Sequence, residues 1–296
     1  MHRGWASITT AVGACAVAVL VFAVAGQAGG PPSDPGSPPS LGWTPSTAGG
    51  FDFGLVGVGK TATQTFTLSN SGGSASAALT ITLSDAAGLS LTEDNCTGTS
   101  LGPGKSCTVT VEYAPTASGP TRATLNAQGK KAAATADLTL TGGAALMFVA
   151  DGPAAPGLSG LNESPQHPES TATGTTTVFW DTTTSTMTVH VVFDGLTTPN
   201  TAAHIHCCVT APGNAGVATT TPTFTGFPGG VTSGTYTHTF NMLDASSWNP
   251  AFVSAQGGVA NAAAAMLAGL QAGRAYQNVH TQRFGGGEIR GFLHPA

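Results

Sequence analysis

The segment Thr201–Val209 reads TAAHIHCCV: two histidines at i and i+2, then two adjacent cysteines, in a chain of 296 residues with eight His and five Cys. On an extended strand alternate side chains share a face, so His204, His206 and Cys208 point one way and Ile205 and Cys207 the other. Two imidazoles so placed can reach one cation at about 2.0–2.1 Å each, which suits zinc or copper. His280, within NVHT, is the candidate third ligand, with Glu288 close to it in sequence. The same residues also read as architecture. In that reading the histidines hydrogen-bond to backbone carbonyls and to the strand carrying Glu288 and Arg290, which satisfies polar groups that burial would strand. Cys207 and Cys208 have three options: a vicinal disulfide, two free thiols, or a Cys208 lent to a metal.

Which option holds depends on compartment. One Arg precedes an apolar run from Ala11 to Ala25, which exits through the small-residue pattern Ala23-Val24-Ala25. Residues 1–28 therefore read as a secretory signal peptide, and Cys15 lies inside the part removed. The run falls short of the roughly 20 residues a spanning helix needs. Residues 29–50 read as a Pro/Gly-rich linker, since Gly26–Gly50 holds six prolines and seven glycines. The mature chain keeps Cys96, Cys107, Cys207 and Cys208, and an even count in an exported chain makes disulfides the default. Charged residues are 8% of the chain and its formal net charge is −5. With no basic patch, nucleic acid and anionic membrane surfaces are excluded as partners.

Two folded regions follow. In residues 51–143, TQTFTLSN places Phe66 and Leu68 on one face, and SCTVTVEYAP places Cys107, Val109, Val111 and Tyr113 on one face. Short alternating strands between turn signals predict an antiparallel sandwich. Cys107 then points inward, and Cys96, across CTGTSLGPGKSC, is its expected partner. Closing a loop of this size stabilises by roughly 3 kcal/mol in the chain-entropy account. Gly98-Thr-Ser100-Leu-Gly102 matches G-x-S-x-G, but Pro103 and Gly104 follow where that motif needs a helix, so Ser100 reads as a loop residue.

In residues 144–296, TMTVHVVFDGL puts Met187, Val189, Val191 and Phe193 on one face and His190 on the other. Asn249-Pro250 starts one Ala-rich helix that runs through Leu270 to Gly273, with Val259, Met266, Leu267 and Leu270 inward. AYQNVHTQRF and GGGEIRGFL close the region. Glu163 and Glu169 sit in a Pro-rich loop without the rigid frame that paired-carboxylate chemistry needs. Arg274, Arg283 and Arg290 read as ion-pair or surface residues.

The motifs FDFGLVGVG, TFTLSNSGG and NCTGTSLGPGKSCTVTVEYAPTASG resemble the bacterial Ig-like modules of the choice-of-anchor D and HYDIN/ASPM (ASH-like) group. Further on, LSGLNESP, FDGL, TAAHIH, APGNAGV, MLAGL, YQNVHT and FGGGEIRGFL resemble the CHRD (chordin-type) domain. These resemblances imply an all-β fold: two antiparallel immunoglobulin-like sandwiches in tandem, the second with one inserted helix. They imply no enzymatic activity and no cofactor. The expected protein is a secreted, extracellular interaction module for adhesion, matrix contact or ligand capture. Its partner is an extracellular protein or polysaccharide, and its mature chain has no integral membrane segment. The competing reading is a metal-dependent redox or hydrolytic protein with copper or zinc at His204, His206 and His280.

Overall fold

A computed structural model describes residues 36–84, 87–130 and 134–296. The expected signal segment, 1–28, lies outside the described residues.

Period-two alternation builds the first sandwich. Strands β1 (Leu41–Thr44), β3 (Ala62–Asn70), β6 (Ser106–Tyr113) and β5 (Leu89–Asp94) form one sheet in that order. The facing layer is β4 (Leu79–Leu83), β7 (Gly119–Gly129) and the first half of β8 (Thr135–Asp151), with β2 (Phe51–Gly57) parallel to β8. Phe66, Leu68, Val109 and Val111 meet Leu125 and Leu140 in its core, and all six are fully buried. Each contributes about 1.5–3 kcal/mol by leaving water. The structure joins Cys96 to Cys107, and Ser100 is an exposed loop residue with no helix after it.

The segment expected to be linker is in part a strand. Leu41–Thr44 pairs antiparallel with β3, and Trp43 is buried with its indole N–H donating to the Ala136 carbonyl at 3.1 Å. One aromatic anchor with a satisfied N–H holds a stretch whose proline and glycine content suggested none.

The expected boundary at 143/144 falls inside β8, a 17-residue strand common to both sandwiches. Its second half pairs with β10 (Thr173–Asp181) and β15 (Ile289–Pro295). Leu138 and Leu140 enter the first core and Phe148 the second. Val58 N–H also donates to the Ala145 carbonyl at 2.8 Å, and Thr183 Oγ1–H to the Ser118 carbonyl at 3.2 Å.

The strands of the second half belong to one sheet, which continues through β8 into β7, β4 and β2. From one edge, β13 (Gly234–Asn241) pairs with β11 (Thr186–Asp194), and β11 with β10. Beyond β10 come β8 and the short β9 (Leu158–Ser159), then β15, β14 (Ala275–Thr281) and β12 (Asn200–Cys207). Met187, Val189, Val191, Ile205, Val279 and Leu293 form part of one buried core. The single expected helix is two: α1 (Pro250–Gln256) and α2 (Val259–Gln271), turned by 91° at the break. Gly257 ends α1 at φ +78° and Gly258 follows at φ +135°, values that only glycine adopts without strain. The break leaves Met266 and Leu270 buried but Val259 and Leu267 only partly so.

Candidate functional site

Strand alternation gives β12, β14 and β15 two different faces. Ala203, Ile205 and Cys207 of β12, Val279 of β14, and Ile289 and Leu293 of β15 enter the core. The opposite face carries His204, His206, Tyr276, Asn278, His280 and Arg290. In register, His204 lies across from Asn278, His206 from Tyr276, Ala202 from His280, and Asn278 from Arg290. This polar face is covered, leaving His204 and His206 only 6% and 7% exposed.

The structure brings the three histidines together, with one ligand atom from each lying within 4.8 Å of the others. Each ring is held by a different backbone carbonyl. His204 Nε2–H donates to Pro222 at 2.5 Å, His206 Nδ1–H to Ala215 at 2.9 Å, and His280 Nδ1–H to Gly285 at 3.0 Å. A carbonyl only accepts, so these contacts fix the tautomers of His204 and His280. His204 Nδ1 and His280 Nε2 are buried with no hydrogen-bond partner among the described residues. His206 Nε2 lies 3.1 Å from Asn278 Oδ1, so both nitrogens of this ring face oxygens and a neutral ring can donate to only one of them. Burial pushes His204 and His206 down to about 4, with the neighbouring imidazoles adding to it, and burial also lowers His280. His206 stacks on Tyr276 at 4.6 Å between ring centroids, and the Arg290 guanidinium carbon lies over the Tyr276 ring, 4.7 Å from its centroid.

Glu288 and Arg290 do not form the expected network with the histidines. Glu288 is fully buried and accepts from Ser170 Oγ, Thr197 N, Thr197 Oγ1 and Thr281 Oγ1 at 2.8–3.1 Å. It precedes β15 in a bend, where strand alternation does not hold. Arg290, fully buried, donates to the carbonyls of Asn162, Gly213 and Pro212 and to Asn214 Oδ1. Its ionic partner is Glu163, with Oε2 at 3.7 Å from Nε. Glu163 is 5% exposed, and burial pushes it up to about 7 against the pull of Arg290. Sequence reasoning passed over Glu163, because a loop carries no periodicity to show which side chains fold inward.

The structure joins Cys207 to Cys208, and both sulfurs rest on α2 beside the Ala265 carbonyl. Gly269 makes room, since a Cβ there would lie 2.5 Å from Cys207 Sγ and 3.0 Å from Cys208 Sγ. Gly→Ala within a helix ordinarily stabilises by about 1 kcal/mol. Gly269→Ala is expected to do the opposite, lowering stability by about 1–3 kcal/mol through overpacking. Urea unfolding checks this, and a stabilised variant would remove the steric account.

Residues 156–293 match the CHRD domain, and residues 41–132 match the family described as abnormal spindle-like microcephaly-associated, ASPM-SPD-2-Hydin (ASH). The chain thus carries an ASH domain followed by a CHRD domain, in the order its motifs indicated. No curated protein matches it. Among solved structures it is similar to the ASH/PapD-like domain 7 of human CEP192, at 15% identity and a TM-score of 0.27, over 39% of this chain and 91% of that one. It is also similar to a family 123 glycoside hydrolase from Clostridium perfringens, at 7% identity and a TM-score of 0.28, over 33% of this chain and 23% of the hydrolase. A third similarity is to the secreted serine protease VesC from Vibrio cholerae, at 13% identity and a TM-score of 0.27, over 82% of this chain and 48% of the protease. At these scores none of the three bears on the chemistry here.

Proposed function

We propose that the chain is an exported, non-enzymatic interaction protein whose CHRD domain presents preformed loops to an extracellular protein or polysaccharide, with the ASH domain as its spacer. The observation that carries this reading is the use made of the two charged side chains in the closing segment. Glu288 and Arg290 are fully buried, and all but one of the side-chain hydrogen bonds they make reach a loop or turn of the same domain, the exception being Thr281 at the end of β14. Loops held on a rigid sheet are where binding surfaces are built. The two disulfides support an oxidising compartment, as does the apolar run near Met1. Among the described residues no single helix is long and apolar enough to cross a membrane.

Mass spectrometry of the exported chain under non-reducing conditions tests the reading, together with its sedimentation with isolated matrix or cell-wall polysaccharide. The mature N-terminus is expected between Gly26 and Gly30, with both bridges intact and the protein in the pellet. An intact Met1 terminus with free thiols would refute export. A protein that stays in the supernatant with every matrix fraction would refute the binding role.

A further inference from the structure

We propose that His204, His206 and His280 together bind one transition-metal ion, zinc or copper, on the covered polar face of the CHRD domain. This site is independent of the interaction role above, and either can fail without the other.

Three features carry it. First, the sheet sets the placement. Two ligands come from β12 and one from its hydrogen-bonded neighbour β14, so the donors stand close because the strands do. Second, each ring has one nitrogen on a main-chain carbonyl: Pro222 and Ala215, both in the β12–β13 connection, and Gly285 in the β14–β15 turn. That is the outer arrangement of a metal-binding histidine, in which the far nitrogen's hydrogen bond sets the tautomer and aims the near lone pair. Third, the near nitrogens of His204 and His280 are buried without a partner among the described residues. Polar atoms in such positions are nearly always satisfied in folded proteins. Buried acceptor nitrogens on two rings 4.9 Å apart, His204 and His280, with no donor on either, are costly, and one cation would satisfy both.

The donor set narrows the ion. Three neutral imidazoles, with no carboxylate in the group, do not suit calcium or magnesium, which take oxygen ligands. Imidazole nitrogen suits zinc and copper. Bonds of about 2.0–2.1 Å would set the nitrogens roughly 3.3–3.5 Å apart, so the group must close by up to about 1.5 Å from its present 4.8 Å limit. His206 Nε2 would exchange the Asn278 amide for the ion. Three ligands leave the remaining positions open to water or an outside group. The charge of Arg290, beyond the Tyr276 ring, is offset in part by Glu163 at 3.7 Å. His280 is the least buried of the three.

The test uses the full chain, stripped by chelator, dialysed, and titrated separately with Zn(II) and Cu(II). Elemental analysis after a second dialysis is expected to find one equivalent of at least one of these metals, with a higher melting temperature in its presence. His204→Ala and His280→Ala should each weaken binding by more than the roughly 10–100-fold that losing an outer partner costs. His238→Ala, on β13 and outside the group, should leave binding unchanged. Should the variants not fold, electron paramagnetic resonance of the Cu(II)-loaded wild-type chain provides the readout, with coupling to three imidazole nitrogens expected. Neither metal retained and no thermal shift would overturn the proposal and leave a bridging water as the occupant. Equal affinity in folded His204→Ala, or copper coupled to fewer imidazoles, would overturn it as well.

Discussion

Replacing Arg290 by methionine is expected to cost about 4–6 kcal/mol and to unfold the C-terminal half of the chain under conditions where the wild type is stable. Methionine keeps the apolar stem and removes the guanidinium, and with it the hydrogen bonds, the ion pair with Glu163 and the contacts with Tyr276 and Phe292. Those bonds reach Asn162 on one loop and Pro212, Gly213 and Asn214 on another. Nothing else in the strand can replace them, since the residues flanking Arg290 are Ile289 and Gly291. A hydrogen bond to a charged group is worth roughly 1.5–3 kcal/mol, and a stranded buried acceptor costs a further amount of similar size. Partial entry of water limits the total. Losses above about 4 kcal/mol are exceptional for one substitution and consume most of the 5–15 kcal/mol typical of a domain. Arg290→Lys should recover less than half, because an ammonium cannot reproduce the planar fork over Tyr276 and Phe292. Urea unfolding followed by near-ultraviolet circular dichroism gives the measurement. A loss under 1 kcal/mol for the methionine variant would mean that the loops hold themselves.

The strand faces were legible because alternation is a local property. Phe66 with Leu68, Val109 with Val111, and Met187 with Val189 are buried as their spacing requires. The grouping of His204 and His206 with His280 was also legible, from H-x-H on a strand and a third histidine in a neighbouring motif. What could not be read is long-range or depends on glycine. Arg290 meets Asn162 across 128 residues, and no sequence period links a strand to a loop at that distance. The boundary expected at 143/144 follows Gly142-Gly143, yet β8 runs through it. A Cβ at Gly142 would lie 2.9 Å from Tyr113 Cε1, so this glycine serves a close approach and not a turn. At Gly257-Gly258 the reverse happened: glycines that look tolerable inside an Ala-rich helix are left-handed and divide it. Glycine alone does not say which of these roles it has; the neighbour that approaches it does.

Stability of the chelated protein is expected to fall steeply with acid, and Glu163→Gln should make the fall steeper. His204 and His206 ionise near 4 when folded, against 6.5 for a free imidazole. The unfolded chain therefore binds more protons between those values, and stability rises with pH across that window. At 1.36 kcal/mol per unit, each ring contributes about 3 kcal/mol that is present above pH 6.5 and lost as the pH drops to 4. Glu163 acts with the opposite sign. Its folded value of about 7 lies above its usual 4.5, so the folded state holds the extra proton. That contribution, again about 3 kcal/mol, is complete below pH 4.5 and lost as the pH climbs to 7. Between pH 4.5 and 6.5 the carboxyl thus cancels roughly one of the two histidines. Glutamine keeps the shape of the protonated acid and cannot ionise, so the variant should show the histidine dependence without this offset. Urea midpoints from pH 4 to 7.5, measured on the full chain with chelator present, separate the two. A flat wild-type profile would show that the imidazoles accept protons where they sit. A variant profile parallel to the wild type would show that Glu163 remains ionised beside Arg290 throughout.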